Sequence, residues 1–439
     1  MLPLYTRWLT TEQFGSADLI STYASILVSV FSCCVADAVF IFPKNEDNLS
    51  KMKYYSSGFL FVGIVALVVA LFNFLLQLIF QDSIFGSEWS WLTIGMTFSL
   101  FVQNYTQQFT RSLEKMWVFS VTGIVHTLCV ALFAFLFIPI WGLNGYILSM
   151  IVSNIVAAFF SFFASRSFDF LSIREFSGSH LSTMLKYGVP LIPNSIMWWL
   201  VNGFNRPIIE NYLGLSALGL YAVANKFPSV VSMVTNVFTN AWGISMLDEF
   251  GKPGFNVFFN KVFKLVFFVA TVVAFFAIVF SKFIISIFAA EEYIEAWTVL
   301  PPLLIGAVLN AASALIGGVF MALKNSKYFF YTSAMASVTS IIATMLFVRF
   351  WGLVGCAVAV VLSFGVSVVS RLYFARKSIS GFEIWHYFVL VIALALTVVV
   401  AECWEWSAWA ICSYIILLLT ILYLNRDLFI DLKSLIIRK

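Results

Sequence analysis

Apolar runs of eighteen or more residues recur from one end of this chain to the other. A run of that length crosses a ~30 Å hydrocarbon layer as one helix. Inside hydrocarbon no water bonds the backbone, so each N–H and C=O must be satisfied within the segment, and the run has to be helical. The alternating segments of ~10 residues that a membrane β-barrel needs do not stand out. Only 10% of the 439 residues are charged, while 62% are hydrophobic; a soluble domain carries about 25% charge. Mean hydropathy is +0.97. A soluble enzyme is excluded, and an all-α polytopic membrane protein is the expected class.

At ~20 residues per span, membrane helices are predicted over 17–42, 58–80, 89–110, 117–139, 142–164, 187–209 and 217–246. Others follow over 262–288, 297–321, 328–349, 352–370, 385–401 and 407–424. The placement of lysine and arginine tests this reading, because cytoplasmic loops are the basic ones. One side takes Lys44, Lys51, Lys53, Arg111, Lys115, Arg166, Arg174 and Lys186. In the second half it takes Lys252, Lys261, Lys264, Lys324, Lys327, Arg371, Arg376 and Lys377, and then Arg426, Lys433, Arg438 and Lys439. Of 25 cations only Arg7, Arg206, Lys226, Lys282 and Arg349 fall elsewhere. A missed span would have inverted the pattern downstream. The basic side and the C-terminus are therefore expected in the cytoplasm. Most of the six cysteines lie inside apolar runs without metal-ligand spacing, which makes them packing residues.

Two stretches share a signature, "FIPIWGLNGYILSM" around Trp141 and "FVRFWGLVGCAVAV" around Trp351, 210 residues apart. A fainter pair, "RWLTTEQFGSADLISTY" and "NYLGLSALGLYAVANKF", matches Leu9 to Leu213 and Gly15 to Gly219 at an offset of 204. Two matches at nearly one offset predict a tandem duplication of six-helix bundles in the same orientation. Parallel repeats of this kind mark transporters, with the substrate site between the halves. The expected organisation is an N-terminal bundle over 1–170, a cytoplasmic linker over 171–186, a second bundle over 187–380, and two extra helices with a tail over 381–439. At an offset of 204 the first half lacks a counterpart of 185–204. "MLPLYTR" is therefore read as the outer end of a truncated first helix.

"PLYTRWLTTEQFGSADLI", "TRSLEKMWVFSVTGI" at 110–124, "WGLNG" at 141–145, "NRPIIENYLGLSALGLYAVANKF" at 205–227 and "NAW" at 240–242 occur in this order. Together they resemble the bacterial oligosaccharide flippases, the O-antigen and exopolysaccharide translocases often called Wzx. Their superfamily also holds the lipid II flippase and the MATE exporters. The resemblance implies two six-helix bundles around a central cavity and alternating access. The cargo it implies is an undecaprenyl-pyrophosphate-linked oligosaccharide, carried from cytoplasm to periplasm, and it suggests that the last two helices line a groove for the polyprenyl tail. It further implies association with polysaccharide polymerase machinery and no nucleic-acid partner. This chain departs from the pattern at its truncated first helix, at Phe40-Ile41-Phe42 after the "DAV" block, and at Asn205, where an acidic residue usually precedes the arginine. No cofactor is expected; coupling to a proton or sodium gradient, or to the membrane potential, stays open.

An anionic pyrophosphate needs cations on its path, and each intramembrane charge costs roughly 2.5–3.5 kcal/mol on insertion scales, so each needs a reason. Arg206 leads the candidates, with Asn202, Asn205 and Glu210 in one polar stretch. Spacings of four predict Asn202, Arg206 and Glu210 on one helix face; pairing with Glu210, or snorkelling to the interface, is the plainer role. Lys226 with Asn225 lies about ten residues into the next helix, as a cavity cation or an ion-pair partner. Arg7, Lys282 and Arg349 read as outer-interface residues, Arg7 with a claim on the cavity. Asn104, Gln107, Gln108 and Arg111 form a polar stripe that either binds sugar hydroxyls or joins helices at ~0.6 kcal/mol per bond. Arg111 is either the cytoplasmic receiver of the pyrophosphate or a positive-inside anchor. Pro190, Pro193 and Pro207 are expected as hinges, since proline removes helix hydrogen bonds. The rival readings are a MATE-like cation-coupled antiporter, disfavoured by the scarcity of intramembrane acids, and a polymerase or ligase, disfavoured by short outer loops and by three histidines without a constellation.

Overall fold

The computed structural model describes residues 1–79, 88–323, 326–376, 378–403 and 407–427. Lys324, Lys377, Lys433, Arg438 and Lys439 lie outside them. Among the described residues every regular element is helical. Seven helices among the described residues are long and apolar enough to cross a membrane, by length and composition. Packing divides the chain into two units, one holding Pro3–Trp199 and the other running from Leu200 onward. The division falls inside the segment expected as one span over 187–209.

The first unit contains α1 (Leu2–Trp8), α2 (Thr11–Phe31), α3 (Val35–Ile41), α4 (Asn48–Ile79), α5 (Glu88–Ser112), α6 (Met116–Ala164) and α7 (Gly178–Gly188). Thr10 starts α2 with a reciprocal cap: its hydroxyl accepts from Gln13 N–H, and the Gln13 side chain accepts from Thr10 N–H. A straight α6 of 49 residues would reach about 74 Å, far beyond one bilayer. It turns back at Gly142, whose φ of 53° and ψ of −124° are open only to glycine. Phe137 and Gly145 would stand ~12 Å apart on a continuous helix. Here a Cβ on Gly145 would collide with the Phe137 carbonyl, so the two arms lie against each other. At the open end of this hairpin the Lys115 ammonium donates to Ser165 O at 2.6 Å.

The second unit repeats the device. Helices α9 (Asn205–Glu249), α10 (Phe255–Val279), α11 (Ser281–Phe288), α12 (Ala296–Ala322), α13 (Ser326–Ala375), α14 (Ile384–Cys403) and α15 (Ala408–Leu424) follow one another, with α8 (Ile192–Asn202) leading in. Helix α13 turns at Gly352, φ 55° and ψ −132°, and a Cβ on Gly355 would meet the Phe347 carbonyl. Trp-Gly-Leu-x-Gly is thus a helical-hairpin turn built twice. The fainter match has a structural counterpart as well. Thr10 is extended between α1 and α2, and Gly214, its partner at an offset of 204, is the non-helical residue inside α9. Helix α12 forms the centre of the unit, with 89% of its most apolar stretch buried. Phe255, Phe259, Phe263 and Phe267 recur every fourth residue on α10, one buried stripe that meets Phe382 and Tyr387. This stripe docks the α14–α15 pair, and Lys264–Asp427 at 3.3 Å adds an ion pair at one end.

Three expected spans are broken. The run 17–42 stops at Phe31 and resumes at Val35, because Cys33 and Cys34 both adopt left-handed φ, 49° and 52°. Gly188 packs against this kink, its missing Cβ leaving room for the Cys33 carbonyl. The run 262–288 divides into α10 and α11 at Phe280. The run 187–209 becomes a 3-10 turn over Val189–Leu191, then α8, then a break at Gly203-Phe204 before α9. Pro190, Pro193 and Pro207 therefore sit in the first turns of three separate pieces, where a missing N–H costs no helix bond. The bends lie at the junctions rather than inside one helix.

Candidate functional site

The break at Gly203-Phe204 changes the geometry expected around Arg206. Asn202 ends α8, while Arg206 is the second residue of α9, so the two do not share one continuous helical face. They still meet. Arg206 is 8% exposed, and its Nη1 donates to Asn202 O and, at 3.3 Å, to Asn205 Oδ1. A cation on the carbonyl that ends a helix satisfies an orphan acceptor and complements the negative helix pole. The guanidinium also lies 5.7 Å from the Tyr221 ring, and the Tyr221 hydroxyl accepts from the Asn205 amide. Arg206, Asn205 and Tyr221 thus bind the α8–α9 junction together. Asn202 is exposed and Glu210 half-buried.

Lys226 contrasts with it. It stands on the long arm of α9, twelve residues past Gly214, or about 18 Å along the axis, and its side chain is exposed. The adjoining Asn225 is half-buried. Arg7 is exposed in the last turn of α1, where a cation is favoured by the helix dipole. Lys282 lies over the Trp297 ring at 5.7 Å, and Arg349 donates to Tyr212 Oη at 2.8 Å beside the Gly214 and Gly352 turns.

The α5 stripe divides by role. The Gln103 amide donates to Gln107 Oε1 at 2.7 Å, and the Gln107 amide donates to Phe119 O at 3.1 Å, joining α5 to α6. Gln108 accepts from Arg111 Nη1 at 3.1 Å, while Asn104 is half-buried on the same helix. The Arg111 guanidinium lies 4.2 Å from the Phe40 ring and 5.2 Å from that of Phe119. Phe40, in the segment that departs from the flippase pattern, is half of an aromatic clamp that holds this arginine.

One buried cation escaped the sequence reading. The loop pattern counts Arg371 among the cytoplasmic anchors, yet it is 1% exposed, four residues before the end of α13. Its Nη1 donates to Ser313 O on α12, and its guanidinium lies 4.5 Å from the Phe329 ring. A Cβ on Gly317 would come within 2.8 Å of Nη1, so that glycine makes the space. Beside it the Ser313 and Ser367 hydroxyls are 2.7 Å apart. A signal existed in Ser363, Ser367 and Arg371, which repeat every fourth residue and so mark one polar face on an apolar helix.

The sequence model of the polysaccharide biosynthesis protein family matches residues 1–242, more than half of the chain. The chain belongs to that family. Within the curated proteins, this family member is 23% identical over 250 residues to a Haemophilus influenzae protein of the Lsg locus. The aligned stretch covers 55% of this chain and 59% of that relative's length. Among solved structures, the fold resembles the lipid II flippase MurJ in an inward closed conformation, with a TM-score of 0.67, 17% identity, and 96% of this chain and 97% of that one covered. An inward-facing MATE multidrug transporter of the MOP superfamily superposes with a TM-score of 0.61 and 14% identity, covering 90% and 94%. At such identities the likeness is one of fold. This polysaccharide biosynthesis protein is thus a multi-pass membrane protein with the fold shared by MurJ and the MATE transporters.

Proposed function

We propose that the protein is a flippase that moves an undecaprenyl-pyrophosphate-linked oligosaccharide across the bacterial inner membrane, for O-antigen, capsule or exopolysaccharide synthesis. The observation that carries this reading is a polysaccharide biosynthesis family match in a chain that shares a lipid flippase's fold over nearly its whole length. The family supports a cargo from polysaccharide synthesis, and the fold supports alternating access as the way it is moved. The reaction is then translocation without bond making, and the protein is a transporter rather than an enzyme.

Lys226 is the residue best suited to the pyrophosphate. A lysine left against hydrocarbon at mid-depth would cost several kcal/mol, so an exposed one fits a water-filled path. Its compact ammonium attracts phosphate as a point charge and lets it leave again. Arg111, with its guanidinium near the rings of Phe40 and Phe119, is pre-organised to receive the pyrophosphate on the cytoplasmic side. Arg206 supports the α8–α9 junction rather than meeting cargo directly.

In a strain deleted for this gene, surface polysaccharide should be lost while lipid-linked intermediates accumulate on the cytoplasmic leaflet, and a plasmid copy should restore both. Normal polysaccharide with a fall in drug tolerance would instead establish the antiporter function.

A further inference from the structure

The connector between α6 and α8 is held more firmly than a linker needs to be. Two successive serines on α4, both fully buried, grip it. Ser56 Oγ donates to Phe170 O at 3.0 Å and accepts from Ser172 N–H at 2.8 Å. Ser57 Oγ accepts from Ser177 N–H at 2.8 Å and donates to Ser177 O at 3.3 Å. Phe170 packs on Phe109 at 5.5 Å, His180 on Tyr54 at 4.6 Å, and Met184 is fully buried. The orientation of the segment is therefore fixed from both sides.

That fixed orientation leaves large apolar side chains outward. Ile173 is 77% exposed, and Phe168 and Phe176 are exposed as well. Exposed among them are Arg166, Arg174 and Lys186, with Asp169 and Glu175 offsetting part of the charge. Lys186 and Ser182 also edge a groove of about 500 Å³ whose other walls include Leu181, Leu185, Val189 and Pro190. The location is dictated by connectivity. The connector leaves the end of α6, and Lys115, just before the start of α6, bonds to its first residue. It therefore lies at the end of the membrane hairpin, where hydrocarbon gives way to headgroups. Apolar wedges mixed with arginine and lysine suit that boundary, the apolar groups reaching acyl chains and the cations meeting phosphate.

From this placement we infer that residues 165–190 form a rigid foot seated in the headgroup layer, with Ile173 and Phe176 among acyl chains and Arg166, Arg174 and Lys186 on phospholipid phosphates. Its occupant is the glycerophospholipid of the surrounding leaflet, not the cargo. The foot would hold the first unit at a set depth while the transporter cycles.

The test uses the full chain in nanodiscs made of phosphatidylglycerol and phosphatidylethanolamine. A photoreactive benzoylphenylalanine replaces Ile173 or Phe176, with the fully buried Phe109 position as control. Illumination should add the mass of one phospholipid at 173 and at 176, and none at 109. Absence of a lipid adduct at both positions, or adducts to another protein when the variants are illuminated in cells, would overturn the inference. In parallel, the triple variant Arg166→Gln, Arg174→Gln, Lys186→Gln should retain at least threefold fewer phosphatidylglycerol molecules by native mass spectrometry. Each single variant serves as well should the triple not fold, and unchanged lipid retention across the three singles would also refute the role assigned to the cations.

Discussion

Arg206 and Lys226 occur within twenty residues of each other, and their surroundings assign them different work. Arg206 is bonded to Asn202 O and Asn205 Oδ1. A hydrogen bond from a charged group contributes about 1.5–3 kcal/mol. Arg206→Met should therefore lower the thermal midpoint of the purified protein by several degrees, and a midpoint unchanged from the parent would remove it from the junction. Lys226 has an exposed side chain, and the variant to read there is Lys226→Gln. It should cut surface polysaccharide roughly tenfold, the effect of losing about 1.4 kcal/mol of cargo attraction, and Lys226→Arg should recover much of the loss. Equal polysaccharide from Lys226→Gln and parent would take Lys226 off the path. Neither residue's type distinguishes them in the sequence; burial does, and burial comes from Tyr221 and the α8–α9 break.

Among the elements, the hairpin turns are the most legible features. Gly142 and Gly352 hold φ near +55° with ψ near −130°, a region in which a side chain costs of order 1–3 kcal/mol. Gly145 and Gly355 face a backbone carbonyl, which cannot rotate away as a side chain could. Gly145→Ala and Gly355→Ala should each reduce the yield of folded protein more than Gly123→Ala, whose added Cβ meets open space. Fluorescence-detected size exclusion would read the difference, and equal yields would refute the shared turn. Span ends were also legible where the hydropathy edge coincides with the helix end, as in α12, expected over 297–321 and found as Ala296–Ala322, and at the close of α5, expected at 110 and found at Ser112. The breaks at Cys33-Cys34 and at Phe280 were not. Hydropathy does not register a change in φ, and neither site carries the glycine or proline that usually signals one.

For the whole molecule, the duplication and the charge pattern make a joint statement about sidedness. In the first unit, Lys115 and Ser165 meet at one end of the α6 hairpin and Gly142 turns at the other. In a background without native cysteines, Arg174→Cys should react with an impermeant maleimide only in inside-out vesicles. Asn144→Cys, at an exposed position beside the turn, should react only in intact spheroplasts. Labelling of both from one side would contradict the topology. The same pattern predicts a cytoplasmic C-terminus, to be checked with a C-terminal reporter that is active only in the cytoplasm.

The sequence by itself determined the all-helical membrane class, the tandem repeat and the position of each hairpin turn. Those properties rest on apolar runs, on cation placement and on glycine at fixed offsets, all of which act over a few residues. Only the tertiary structure decided that Arg371 is interior and bonded to Ser313, that Arg206 closes a junction, and that the connector is clamped by Ser56 and Ser57. Those outcomes depend on groups 58 to 120 residues apart along the chain for Arg371 and the serine clamps, and for Arg206 on a break between helices. Burial of a polar group is set by what folds against it, and no local pattern carries that information.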